Sequence, residues 1–131
     1  MIGLDTNVLV RFLVEDVAEQ AARAKGVVRR AIERDEKLFV SDVVVCELAW
    51  VLERAYGLGR AELAETLRSL LSVKHLAIGN ADLLERALAA YGDGRGGFPD
   101  YVIGEIARDA GCRVVATFDK ALLREAGFER P

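Results

Sequence analysis

Four carboxylates stand where packing alone gives no reason for them. Asp5 comes directly after the short apolar run of MIGLDTNVLVRFL, and Glu47 is the only charge between Asp42 and Glu53 in SDVVVCELAWVLER. Asp100 follows Pro99 in GGFPDYVIGEIARDAGC, and Asp119 ends the run VVATFD. Gathered in one place, four acids repel one another unless a divalent cation neutralises them. Oxygen ligands with no His or Cys companion suit Mg²⁺ or Mn²⁺. Such a cluster can hold a metal against phosphate oxygens and activate a water for in-line attack on a phosphodiester.

The elements that must position these acids alternate in type. Leu63, Leu67, Leu70 and Leu71 share one face of a helix expected over about 60–72, and Leu83, Leu84, Ala87, Leu88 and Tyr91 share one over about 80–91. Short runs suited to strands lie between, at 2–4, 38–40, 75–78 and 113–117. Strands alternating with helices imply a three-layer α/β/α sandwich with a mostly parallel central sheet. Ligands of such folds sit beyond the carboxyl ends of the strands. Asp5 falls there, with Thr6 expected to cap a helix beginning at Asn7. Asp119 follows its own strand in the same way.

The other two acids are placed by helices. Glu47 is one turn from Val43, Val44 and Val51, so it is expected to point into a cleft or a wall of the core; an Arg partner at a helix edge is the alternative. Asp100 lies in the first turn of a helix opened by Pro99, running to about Ala110 and ended by Gly111. Its charge suits the positive end of that helix, which would also account for it without chemistry. Glycines 92, 94, 96 and 97 make a flexible loop but lack the Gly-Lys-Ser/Thr ending of a phosphate-cradling loop.

Bulk properties narrow the classes. The chain has 131 residues, 52% of them hydrophobic, enough for one core, and no repeat or linker divides 1–131. A net charge of −3 means that binding to nucleic acid must come from local cations or metal. Arg11, Arg95 and Lys120 lie near site residues and are candidate RNA contacts. His75, the single histidine, lies away from all four acids and is read as structural or surface, not catalytic. Cys46 and Cys112 have no metal-binding spacing and read as small buried hydrophobes of a reducing compartment. No signal-peptide pattern or apolar run of membrane-spanning length is present, so a cytoplasmic location is expected.

In order and type, LDTNVLVRFL, SDVVVCELAWVLER, FPDYVIGEIARDAGC and VVATFDKAL resemble the PIN-domain ribonucleases, and among them the short VapC-type toxins of bacterial and archaeal toxin–antitoxin pairs. The likeness covers nearly the whole chain. It implies that Asp5, Glu47, Asp100 and Asp119 form the metal-binding acidic site, with Asn7 and Thr117 holding carboxylates and water by hydrogen bonds. It implies a Mg²⁺- or Mn²⁺-dependent endoribonuclease that blocks translation until a cognate VapB-type antitoxin binds it, and a homodimer. Asp42 stands where many members carry Pro, and the brief ending FERP leaves the last edge strand open. Two other classes compete. A haloacid-dehalogenase-type phosphatase expects Asp-x-Asp, and Asn7 occupies the place of the second Asp. A non-catalytic PIN-like module that binds RNA or protein would be favoured by loss of one acid, and none is lost.

Overall fold

The computed structural model describes all of residues 1–131. Three of the short apolar runs form one sheet in the order β1 (Ile2–Gly3), β2 (Leu38–Val40), β3 (Leu76–Ile78). All pairings are parallel: Ile2 lies beside Leu38 and Gly3 beside Phe39, and Leu38, Phe39 and Val40 lie beside Leu76, Ala77 and Ile78. The central strand is the most buried, with Leu38 and Val40 closed off from solvent. Helices α1 (Thr6–Leu13), α2 (Ala18–Glu33), α3 (Asp42–Arg54), α4 (Arg60–Leu71), α5 (Ala81–Asp93) and α6 (Phe98–Asp109) complete a three-layer α/β/α arrangement. Their apolar stripes meet in one cluster that includes Leu48, Leu67, Leu84 and Phe98, all fully buried.

Each strand of this sheet runs almost directly into a helix: β1 into α1, β2 into α3, β3 into α5. Parallel register therefore sets three helix N-termini side by side along the carboxyl edge of the sheet. Ser41 caps α3, its hydroxyl accepting from the Val44 amide at 3.2 Å. Helix α3 packs against α1 on one side and α6 on another, so three of the four acid-bearing segments adjoin.

The helices over 60–72 and 80–91 form within two residues of the expected bounds, and Gly111 ends the α6 segment at φ 88, where a side chain would be strained. Three details differ. Asp5, not Thr6, is the N-cap residue of α1, so the helix begins one residue early. The late strands do not join the first sheet: β4 (Val115–Ala116) and β5 (Phe128–Glu129) pair in parallel as a separate ribbon, which does supply the final edge strand. Asp119 follows its strand as Asp5 does but opens no α-helix: the chain beyond it makes only a 3₁₀ turn, Leu122–Arg124.

The ribbon rests on α6, where a Cβ at Gly104 would stand 3.0 Å from the Phe128 ring. A second tie is polar. The Tyr101 hydroxyl donates to Glu125 at 2.8 Å and accepts from the Gly96 amide at 3.0 Å. A Cβ at Gly94 would come within 1.8 Å of that hydroxyl, so the glycine loop before α6 is what lets the backbone wrap Tyr101.

Candidate active site

Asp5 is exposed just after β1, and its side chain makes no cap bond to α1, so neither carboxylate oxygen is committed to the helix. The next residue does the local work. Thr6 is buried, 5% exposed, and its hydroxyl donates to Glu47 Oε2 at 2.7 Å across the α1–α3 contact. Glu47 itself is exposed, not set in a wall of the core as its sequence neighbours suggested. The reason is helical phase: Val45, Leu48, Ala49 and Leu52 form the buried face of α3, while Val43, Glu47 and Trp50 share the outer one. The alternative of an Arg partner is not realised either, since Glu47 takes part in no ion pair.

Asp100 is half-buried at the third position of α6, where Oδ2 accepts from the Gly97 amide at 3.0 Å. Capping thus uses one oxygen, and the other remains available. The start of α6 is fixed from inside by Phe98, whose ring meets Tyr91 edge to face at a 6.0 Å centroid distance. Asp119 is exposed; Oδ1 accepts from the Ala121 amide at 2.9 Å, and its own amide donates to the Thr117 hydroxyl at 3.0 Å. Thr117 therefore shapes the backbone turn that presents Asp119 and binds no carboxylate. The tie between polar side chain and acid expected of Asn7 and Thr117 is made by Thr6. Asn7 is exposed at the lip of a groove between α1 and α2.

The four acids are not drawn into one ligating group: no three Asp, Glu, His or Cys side chains stand close enough together to hold a metal ion. Asp119 travels with the β4–β5 ribbon, which pairs with neither β1 nor its neighbours. Donor chemistry nonetheless fits a hard divalent cation. All four side chains offer carboxylate oxygens, and no Lys, Arg or His pairs with any of them.

Of the cations singled out by sequence, Arg11 is committed elsewhere. Its guanidinium donates to Asp16 at 3.0 Å, to Gln20 at 2.6 Å and to the Tyr56 hydroxyl at 3.2 Å. Tyr56 in turn donates to Asp16 at 2.8 Å, and this bond, with Arg11, holds the Asp16 carboxyl below the usual carboxylate range. Arg95 and Lys120 are exposed and unpaired. His75 is half-buried, and its carbonyl accepts from the Leu38 amide at 2.9 Å, a structural part of the sheet. Burial, aided by Asp42, pushes the Cys46 thiol up to about 11, whereas Cys112 is exposed and not buried as expected.

The model of the PIN domain family matches residues 2–129. A VapC ribonuclease of Aquifex aeolicus (strain VF5) is 26% identical over 126 residues, 96% of this chain and 92% of that protein. A solved structure of Mycobacterium tuberculosis VapC20, described as a sarcin–ricin loop cleaving toxin, is 19% identical and aligns over 100% of both chains with a TM-score of 0.42.

Proposed function

This chain belongs to the PIN domain family, and from that premise we propose that it is an endoribonuclease that hydrolyses RNA phosphodiester bonds with Mg²⁺ or Mn²⁺, the toxin of a toxin–antitoxin pair that inhibits translation. The observation that carries the reading is the pair Asp5 and Glu47: carboxylates without cationic partners, at adjoining helices of the sheet's carboxyl edge, one of them oriented by a buried hydroxyl. Structural ion pairs would have cations opposite. Asp5, Glu47, Asp100 and Asp119 are the residues that would hold the metal, and the ion would supply charge neutralisation of the phosphate and a more acidic water. The chain's own part is to hold those side chains in place, Glu47 through Thr6, Asp100 through its capping bond, Asp119 through the turn that Thr117 makes.

The VapC name of the Aquifex relative supports a cognate VapB-type antitoxin as partner. So does a mostly apolar groove of about 660 Å³ among α1, α3 and α4, lined by Leu9, Leu13, Leu52 and Leu70 together with Glu62 and Glu65. No helix is long and apolar enough to cross a membrane. Residues 1–131 are read as one PIN domain acting as a homodimer.

The test is cleavage of cellular RNA by the purified protein. Activity should require Mg²⁺ or Mn²⁺, stop with EDTA, and stay absent in Ca²⁺, whose looser coordination misplaces the attacking water. Activity that survives exhaustive chelation sinks the metal mechanism. RNA binding without cleavage in any metal supports the non-catalytic rival instead.

A further inference from the structure

The groove of about 510 Å³ between α1 and α2 opens beside the candidate site, with Asn7, Val8 and Arg11 on one wall and Gln20, Arg23 and Val27 on the other. Asn7 is two positions from Asp5, so the groove begins within one helical turn of that acid. Its two arginines are not equivalent. Arg11 is neutralised by Asp16 and fixed by Gln20 and Tyr56, which makes it a brace for the α1–α2 hairpin. Arg23 has no carboxylate within 4.0 Å and its side chain is exposed, so its charge is undiminished. In a molecule of net charge −3, an anionic strand must find such cations one at a time.

We propose that this groove is a subsite for a backbone phosphate of the RNA strand, adjoining Asp5 on the α1–α2 side, with Arg23 as the cation that takes the phosphate and Asn7 as the polar group nearest that acid. The proposal rests on the ribonuclease reading. A guanidinium suits the role because its donors match two phosphate oxygens at once. A phosphate contact carries no sequence information, so Arg23 sets affinity and register while leaving sequence preference to other groups.

The experiment compares wild type, Arg23→Ala, Arg23→Lys and Arg29→Ala. Arg29 lies on another face of the same helix and pairs with Glu33, so its removal changes net charge equally without touching the groove. Binding of short fluorescein-labelled single-stranded RNAs of several sequences is followed by anisotropy in Ca²⁺ across a salt series, and cleavage kinetics are measured in Mg²⁺. Arg23→Ala should bind about tenfold more weakly at low salt, to the same degree for every sequence, and lower the slope of log K against log salt by about 0.7, the share of one phosphate on a single strand. Its KM should rise while kcat holds, Arg23→Lys should restore the slope, and Arg29→Ala should match wild type. If wild type cleaves RNA and Arg23→Ala keeps the wild-type slope and KM, the subsite is wrong and the ribonuclease reading stands. If wild type neither binds nor cleaves any RNA, both fall.

Discussion

The 2.7 Å bond from Thr6 to Glu47 turns an exposed, mobile type of side chain into a placed one. A Thr6→Val substitution keeps the buried shape and deletes the donor. Cleavage should fall by about 10–100-fold, the usual loss when a group orienting a metal ligand is removed. Melting should shift little, because Glu47 can return to water. Equal activity in wild type and Thr6→Val would mean that the bond is incidental. Asp119 separates two roles in the same manner. Its Oδ1 accepts from the Ala121 amide, so Asp119→Ala should lose about 1 kcal/mol of stability, whereas Asp119→Asn keeps an acceptor and should melt near wild type. Both should lose cleavage by orders of magnitude; variants that cleave normally and merely melt earlier would show a turn residue with no part in the site. The exposed setting of Glu47 was hidden by helical phase, but the placement of the other three acids was legible in the sequence: Asp5 follows β1, Asp119 follows β4, and Asp100 lies in the first turn of α6. Thr6 was not, because a Thr just before a helical run reads as a cap, and only the packing of α1 on α3 reveals that its hydroxyl faces Glu47.

At the scale of elements, legibility followed length. Helices α4 and α5 show three or four turns of apolar spacing, and their bounds came out nearly as read. Strands of two or three residues have no period to read, so nothing in RVVAT says that it pairs with Phe128–Glu129 and not with the first sheet. What decides it locally is the anchoring of the C-terminal segment to α6 through Tyr101 and Glu125. Burial, and then the bond to Glu125, push the Tyr101 phenol above its usual range. The neutral phenol is therefore the form the fold favours. Its contribution is complete below the unfolded tyrosine value, about 10, and is lost as pH rises through the higher folded value. Tyr101→Phe should cost about 2 kcal/mol near neutral pH, since the variant strands the buried Gly96 amide, while Glu125 keeps its bond from the Arg95 amide. The gap should then narrow in alkali, where only wild type must strip a buried proton. Denaturant melts of both proteins from neutral to strongly alkaline pH decide the matter, and a pH-independent gap would assign the loss to packing alone.

For the whole molecule, the open question is what covers its exposed apolar surface. Val43 is 62% exposed and Trp50 55% on α3, Ile103 53% and Ile106 46% on α6, and these two helices pack against each other. Burying a large aliphatic side chain stabilises by about 1.5–3 kcal/mol, so a patch of this kind favours association when a matching surface exists. A second copy supplies one by symmetry, because a twofold interface brings the same patch to itself. The prediction is a homodimer in sedimentation, with the α3–α6 face at its centre. Trp50 is the only tryptophan of the chain, so its fluorescence reports on that face alone. Arg54 already covers one side of the indole, 5.1 Å from the ring centre, and leaves the other free to be buried. Emission should move to the blue as concentration rises through the dissociation constant. Ile106→Glu, six residues beyond Asp100 on α6, should shift the equilibrium to monomer and keep Trp50 emission red at every concentration. Because Glu47 lies between Val43 and Trp50 on α3, the dimer would also bring two acidic sites near one another, and the monomeric variant then measures what one site does alone. A clean monomer at high micromolar concentration rejects the dimer, and a dimer indifferent to Ile106→Glu, with unchanged Trp50 emission, places the interface on another face.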